Sequence, residues 1–279
     1  MFYLTRKLLL AGAVAGLTVP AFAADLYEPP VEEAPVIEAP AYEPVDFGGW
    51  YIRGDLAYRK SELRGVDYTT YGFDDCNCII VPGSKSFDWA KLKGGFSFGG
   101  GVGYKVSEHF RTDLTADYWF KSNFDGHTSD FVSESTEKSK MSALLLLANA
   151  YVDIGTWHGI TPYVGAGIGG AKVKWDEVYD PNTPEHNPGA SNWRFAYALM
   201  AGASYCLTDN LIFDAGYRYT HIQGGRMFEW DASSAGPGYD RGLDNHEVRG
   251  GLRYQFGGNT GCAAPQVAYE PAPEPIYTK

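Results

Sequence analysis

The residues of this 279-residue chain whose types and spacing could do chemistry are a glycine run, six histidines, four cysteines and a series of alternating charges. Gly165, Gly167 and Gly170 match G-x-G-x-x-G, the turn that cradles a pyrophosphate when a helix follows it. Strand-like Lys172-Val173-Lys174-Trp175 and a Pro-rich stretch follow instead. Those glycines are therefore expected to serve close packing. His221 and His246 are the candidate metal contact, because antiparallel pairing of their segments would bring them together. Two imidazoles alone make a poor metal site. No G-x-S-x-G, H-E-x-x-H or Cys/His zinc spacing occurs. Neither catalytic residues nor a cofactor is expected, and the chain reads as no enzyme.

The elements that must position these residues are strands. In residues 49–59 one face carries Trp50, Ile52, Gly54, Leu56 and Tyr58, and the other Tyr51, Arg53, Asp55, Ala57 and Arg59. Such period-two alternation marks a strand with two different surroundings. It recurs in residues 110–121, 193–207, 211–222 and 245–256, and less cleanly in 94–106, 141–154 and 160–174, a total of eight strands. The polar faces bring together Arg53, Asp55, Arg59, Lys105, Arg111, Asp113, Asp117, Lys121, Asp153, Arg194, Asp214, Arg218, Glu247, Arg249 and Arg253. Short turns near residues 107–109, 156–159 and 208–210 alternate with long connections at 60–93, 122–140, 175–192 and 223–244. That is the pattern of an eight-stranded antiparallel transmembrane β-barrel with short periplasmic turns and long extracellular loops. Eight strands enclose little more than the volume of their inward side chains. A paired charge network is therefore expected there, in preference to an open channel lining.

Compartment follows from the start of the chain. Arg6 and Lys7, an apolar run and Ala21-Phe22-Ala23 form a signal peptide over residues 1–23. Its removal makes the net charge of −11 more negative still, which argues against nucleic acid as a partner. Pro/Glu-rich segments at 24–47 and 257–279 flank a barrel at 48–256 and read as extended periplasmic tethers. No later stretch is apolar and long enough for a spanning helix, so a membrane-embedded chain must cross with strands. In an oxidising compartment cysteines pair. A bridge between Cys76 and Cys78 is cramped, so a Cys206–Cys262 disulfide is expected beneath the barrel.

The final strand, NHEVRGGLRYQF, ends in Gly251, Tyr254 and Phe256, which resembles the C-terminal signal read by the outer-membrane assembly machinery. With EPVDFGGWYIRGDLAYR and LLANAYVDIGTWHGITPYVGAGIGGA, it makes residues 46–256 resemble the small porin-like surface antigens of rhizobia and Brucella, related to OmpA-type and opacity-protein barrels. The resemblance implies an abundant, surface-exposed antigen of the bacterial outer membrane with a role in envelope integrity. Its partners would be outer-membrane lipid and lipopolysaccharide, the assembly machinery and, through the tails, peptidoglycan. Some members bind haem, for which His221 and His246 would be the contact. A narrow channel for ions or small solutes is the alternative. The family signal usually closes the chain, whereas here 23 residues follow Phe256.

Overall fold

The computed structural model describes residues 48–262 except 74–75, 77–78, 130–133, 185 and 232–234. The expected leader and linker, Cys78 and residues 263–279 lie outside them. Thirteen strands and no helix occur among the described residues: β1 (Gly49–Leu63), β2 (Val66–Phe73), β3 (Ile80–Ser86), β4 (Trp89–Leu92), β5 (Gly95–Lys105), β6 (Phe110–Ser129), β7 (Glu134–Asp153), β8 (Ile160–Trp175), β9 (Val178–Tyr179), β10 (His186–Asn187), β11 (Ser191–Cys206), β12 (Leu211–Phe228) and β13 (Gly238–Phe256). Antiparallel pairing runs β1–β5–β6–β7–β8–β11–β12–β13. It returns to β1 from Trp50↔Phe256 to Leu63↔Leu243. The ring of eight has no open edge, so its backbone donors and acceptors can stand in hydrocarbon.

Alternation decides which side chains face where. Along β1, buried Tyr51, Arg53, Asp55, Ala57 and Arg59 interleave with exposed Trp50, Ile52, Gly54, Leu56 and Tyr58. The outer surface is apolar around the ring, with Leu56 66%, Ile168 63% and Val248 69% exposed. So wide an apolar surface marks a membrane contact, and aromatic rings border it at both ends. Trp50 packs on Tyr104 and Tyr254 on Phe256 at one end; Tyr58 on Phe96 and Tyr118 on Phe120 at the other. Three short turns lie at the end that carries Trp50. The tightest is closed by the Trp157↔Ile160 bridge, with His158 (φ 51°) and Gly159 (φ 77°) both left-handed, as a two-residue hairpin requires.

At the far end the long connections are largely continued strand. β6 and β7 rise together to Ser129↔Glu134, and β12 and β13 to Phe228↔Gly238. The β2–β3 hairpin attaches to β13, β4 to β6, and β9 to β7. One expected interior residue is misplaced by the alternation. The β6–β7 register shifts between Trp119 and Ser122, so Phe120 and Lys121 both face outward. Lys121 consequently lies outside the barrel and pairs with Asp176 at 2.7 Å. A bulge adds one residue to a strand and inverts the phase beyond it, which a strict two-residue period cannot anticipate.

Candidate functional site

Seven buried side chains from four strands form an unbroken chain of alternating charge across the barrel interior. Arg53 (β1) joins Asp113 (β6) at 3.1 Å to Asp55 (β1) at 2.8 Å. Arg249 (β13) carries the chain from Asp55 at 3.0 Å to Asp117 (β6) at 3.6 Å. Arg218 (β12) closes it, 2.8 Å from Asp117 and 2.6 Å from Glu247 (β13). β1 and β6 are separated by β5, yet their charges meet because β5 turns Gly101 and Gly103 inward. A Cβ at Gly101 would stand 2.6 Å from the Leu114 carbonyl oxygen, and one at Gly103 2.5 Å from that of Thr112. Gly99 on the same strand faces the Asp117 carboxylate just as closely.

The other interior charges are also engaged. Arg111 donates to Asp153 at 3.0 Å and lies between the rings of Tyr151 and Tyr163, 4.2 and 4.7 Å from their centroids. Arg253 pairs with Asp214 at 3.1 Å. Arg59 donates to Ser61 and Ser122, both at 2.8 Å, and covers the Trp119 ring. Arg194 reaches both carboxylate oxygens of Asp240 at 2.7 Å. Sequence reasoning missed Asp240, because it placed residues 223–244 in a connection, whereas β13 begins at Gly238 and changes phase at Gly242 (φ 117°) and Leu243. The signal was available as a charge imbalance. Nine cations faced six carboxylates on the expected inner faces; exchanging Lys121 for Asp240 brings the interior near balance, as low-dielectric burial demands.

Gly251 belongs to the interior, where a Cβ would stand 2.6 Å from the Gly54 carbonyl oxygen and against the Asp55 carboxylate. Tyr254 and Phe256 lie on the outer face, their ring centroids 5.0 Å apart. Replacing Gly251 with valine should cost about 1–3 kcal/mol through overpacking, read as an earlier midpoint in urea unfolding from detergent.

Both ends of the interior are filled. Towards the extracellular end the inward residues become apolar: Trp119, Phe124, Met141, Val173, Trp175, Ile222 and Leu243 are buried in one cluster. The sequence reading, with its charged lumen, did not foresee this plug. At the periplasmic end residues 257–262 turn under the mouth. Lys105 donates to the Thr260 carbonyl at 2.8 Å, Thr260 donates to that of Asp209 at 2.6 Å, and Cys262 is bridged to Cys206 with Cα atoms 5.6 Å apart. A Cβ at Gly261 would lie between Thr156 Oγ1 and Lys105 Nζ, 3.6 and 3.7 Å away, so the segment passes across the opening. Cys76 is exposed in the connection between β2 and β3.

The two histidines share the outer face of β12 and β13, where His246 is paired with Tyr219 and His221 with Asp244. One nitrogen of each ring, Nδ1, is engaged by the protein itself. His221 Nδ1 lies 2.7 Å from Asp244, which also accepts from Arg64 and Tyr219, and His246 Nδ1 contacts the Tyr217 hydroxyl. Among the described residues no three His, Cys, Asp or Glu side chains gather as metal ligands. On β2, beyond the membrane span, hydrogen bonds from Arg241 hold the Asp67 carboxyl below the usual carboxylate range and tie the β2–β3 hairpin to β13.

The family model described as outer membrane protein beta-barrel domain matches residues 34–256. An uncharacterised protein of Brucella suis biovar 1 is 36% identical, over 90% of this chain and 99% of its own length. The 25 kDa outer-membrane immunogenic protein of Brucella canis is 28% identical, over 91% and 99%. Among solved structures, the outer membrane protein OprG of Pseudomonas aeruginosa is 16% identical, covers 76% of this chain and 97% of its own, and has a TM-score of 0.48.

Proposed function

The chain belongs to the outer membrane protein β-barrel domain family, and on that premise we propose that it is a non-conducting structural and surface protein of the bacterial outer membrane. The observation that carries this reading is the filled interior. A continuous ion-pair chain, an apolar plug above it and a strap under the mouth below support a closed interior. Catalysis is no part of the reading, which takes the interior carboxylates as structural because arginines engage them.

The extracellular ends of β6, β7, β12 and β13, with the β2–β3 hairpin, would form the face met by host, phage or neighbouring cells. The immunogenic relative in Brucella canis is consistent with such exposure. The end of β13, with Tyr254 and Phe256, would be read by the assembly machinery during insertion. Residues beyond Cys262, with the N-terminal linker, would extend into the periplasm towards peptidoglycan, after removal of a leader at 1–23. The histidine pair would take haem in this reading through Nε2, since Asp244 and the Tyr217 hydroxyl engage only Nδ1 of each ring. A haem titration unchanged by His221→Ala with His246→Ala would end that idea.

The test of the main reading is conductance. Purified protein that shifts on gels when boiled, as folded barrels do, should give no stable steps in planar bilayers. Reproducible single-channel steps from heat-modifiable protein would establish the narrow channel instead.

A further inference from the structure

We propose that the outward faces of β7 and β8, at their extracellular ends, bind the anionic headgroup of the outer-leaflet glycolipid through Lys138, Lys140, Lys172 and Lys174. The inference rests on the placement of the barrel in the outer membrane and is independent of whether the lumen conducts.

The register defines the site. Lys172 stands opposite Leu144 on β7 and Trp193 on β11, and Lys174 stands opposite Ser142 and Ser191. Below them on the same outward faces are exposed Leu146, Ile168 and Phe195. The apolar surface therefore ends where the lysines begin, the level at which lipid headgroups replace hydrocarbon. Lys140 and Lys138 continue the outward face of β7, Lys140 lying diagonal to Lys174 across the strand pair. Diagonal neighbours of this kind are about 7–8 Å apart, close enough for two flexible ammonium groups to converge on one anion.

Charge makes this wall unlike the rest of the rim. On the β1–β13 side Lys60 pairs with Glu62 and Arg64 with Asp244. Next to the proposed site Lys93 pairs with Asp125 and Lys121 with Asp176. Lys138, Lys140, Lys172 and Lys174 are all exposed, and none forms an ion pair among the described residues. Asp125 stands opposite Lys138 but pairs with Lys93, and Asp176 beside Lys140 pairs with Lys121, so the four lysines, above all Lys172 and Lys174, leave this wall richer in cations than a chain with a net charge of −11 would suggest. The outer leaflet supplies their complement, because its glycolipid carries phosphate or other acidic groups on sugar rings at this depth. Trp193, 55% exposed beside Lys172, offers a flat face to a sugar ring.

The experiment uses the full mature chain folded into phosphatidylcholine nanodiscs, with phosphorylated lipid A and phosphatidylglycerol offered as equal fractions of the lipid. Retained lipid is quantified by mass spectrometry after purification. The wild type should retain lipid A in preference to phosphatidylglycerol. Replacing all four lysines with glutamine should reduce retention about tenfold, as expected from losing several partly exposed charge contacts, while replacing all four with arginine should preserve it. Gel mobility with and without boiling establishes that each variant is folded. A Lys60→Gln, Arg64→Gln variant on the opposite wall should retain lipid A as the wild type does. Retention by the folded glutamine variant equal to wild type overturns the site. Equal retention of phosphatidylglycerol by the wild type overturns the assignment to glycolipid.

Discussion

Replacing Arg218 with methionine is expected to lower the unfolding free energy by about 3–5 kcal/mol, because two buried carboxylates lose their shared cation. Arg218 is the only residue in the ion-pair chain that holds Asp117 and Glu247 together, at 2.8 and 2.6 Å. Methionine fills much the same volume, so the loss reports charge and not a cavity. Urea unfolding from detergent micelles, followed by gel mobility without boiling, measures it. The companion variant carries Asp117→Asn and Glu247→Gln beside Arg218→Met. Because Asp117 and Glu247 then carry no charge beside the missing guanidinium, it should recover part of the loss; buried Arg59, which faces Glu247, loses its nearby carboxylate and keeps the recovery incomplete. If Arg218→Met alone unfolds with the wild-type midpoint, the chain of alternating charge does not hold the barrel together.

Cleaving the Cys206–Cys262 bridge should have the second large effect. The bridge closes a sequence separation of 56 residues, for which chain entropy sets a loss of about 4 kcal/mol on removal. Much of that loop is already ordered by β12 and β13, so the stability change at the barrel itself should be smaller than the change at the mouth. With Cys262→Ser, residues 257–262 keep only the contacts of Thr260 with Lys105 and Asp209. Protease added from the periplasmic side should then cut after Phe256 in the variant and in reduced wild type, but not in oxidised wild type. Equal cleavage in all three would show that the strap is held without the disulfide.

Several features of this molecule were legible in the residues themselves. A strand's side chains alternate by geometry, so Trp50, Ile52, Leu56 and Tyr58 against Arg53, Asp55 and Arg59 already declared one lipid face and one crowded face. Short and long connections in alternation declared which end was which, and Cys206 and Cys262 stood near the same end of the barrel. Lys121 and Asp240 were not legible, since each lies beyond a local phase inversion that depends on how a neighbouring strand pairs. Nor was the apolar plug. Trp119, Met141, Trp175 and Ile222 lie on β6, β7, β8 and β12, and nothing in any one strand says that they meet.

The sequence by itself therefore determined the strands, their two faces and the even count that makes closure possible, because those properties repeat every second residue within a strand. Only the tertiary structure decided which arginine meets which carboxylate, where the interior turns from charged to apolar, and what covers the periplasmic opening. Those outcomes depend on register and closure, which bring together residues as distant in the chain as Asp55 and Arg249 and leave no local trace in it.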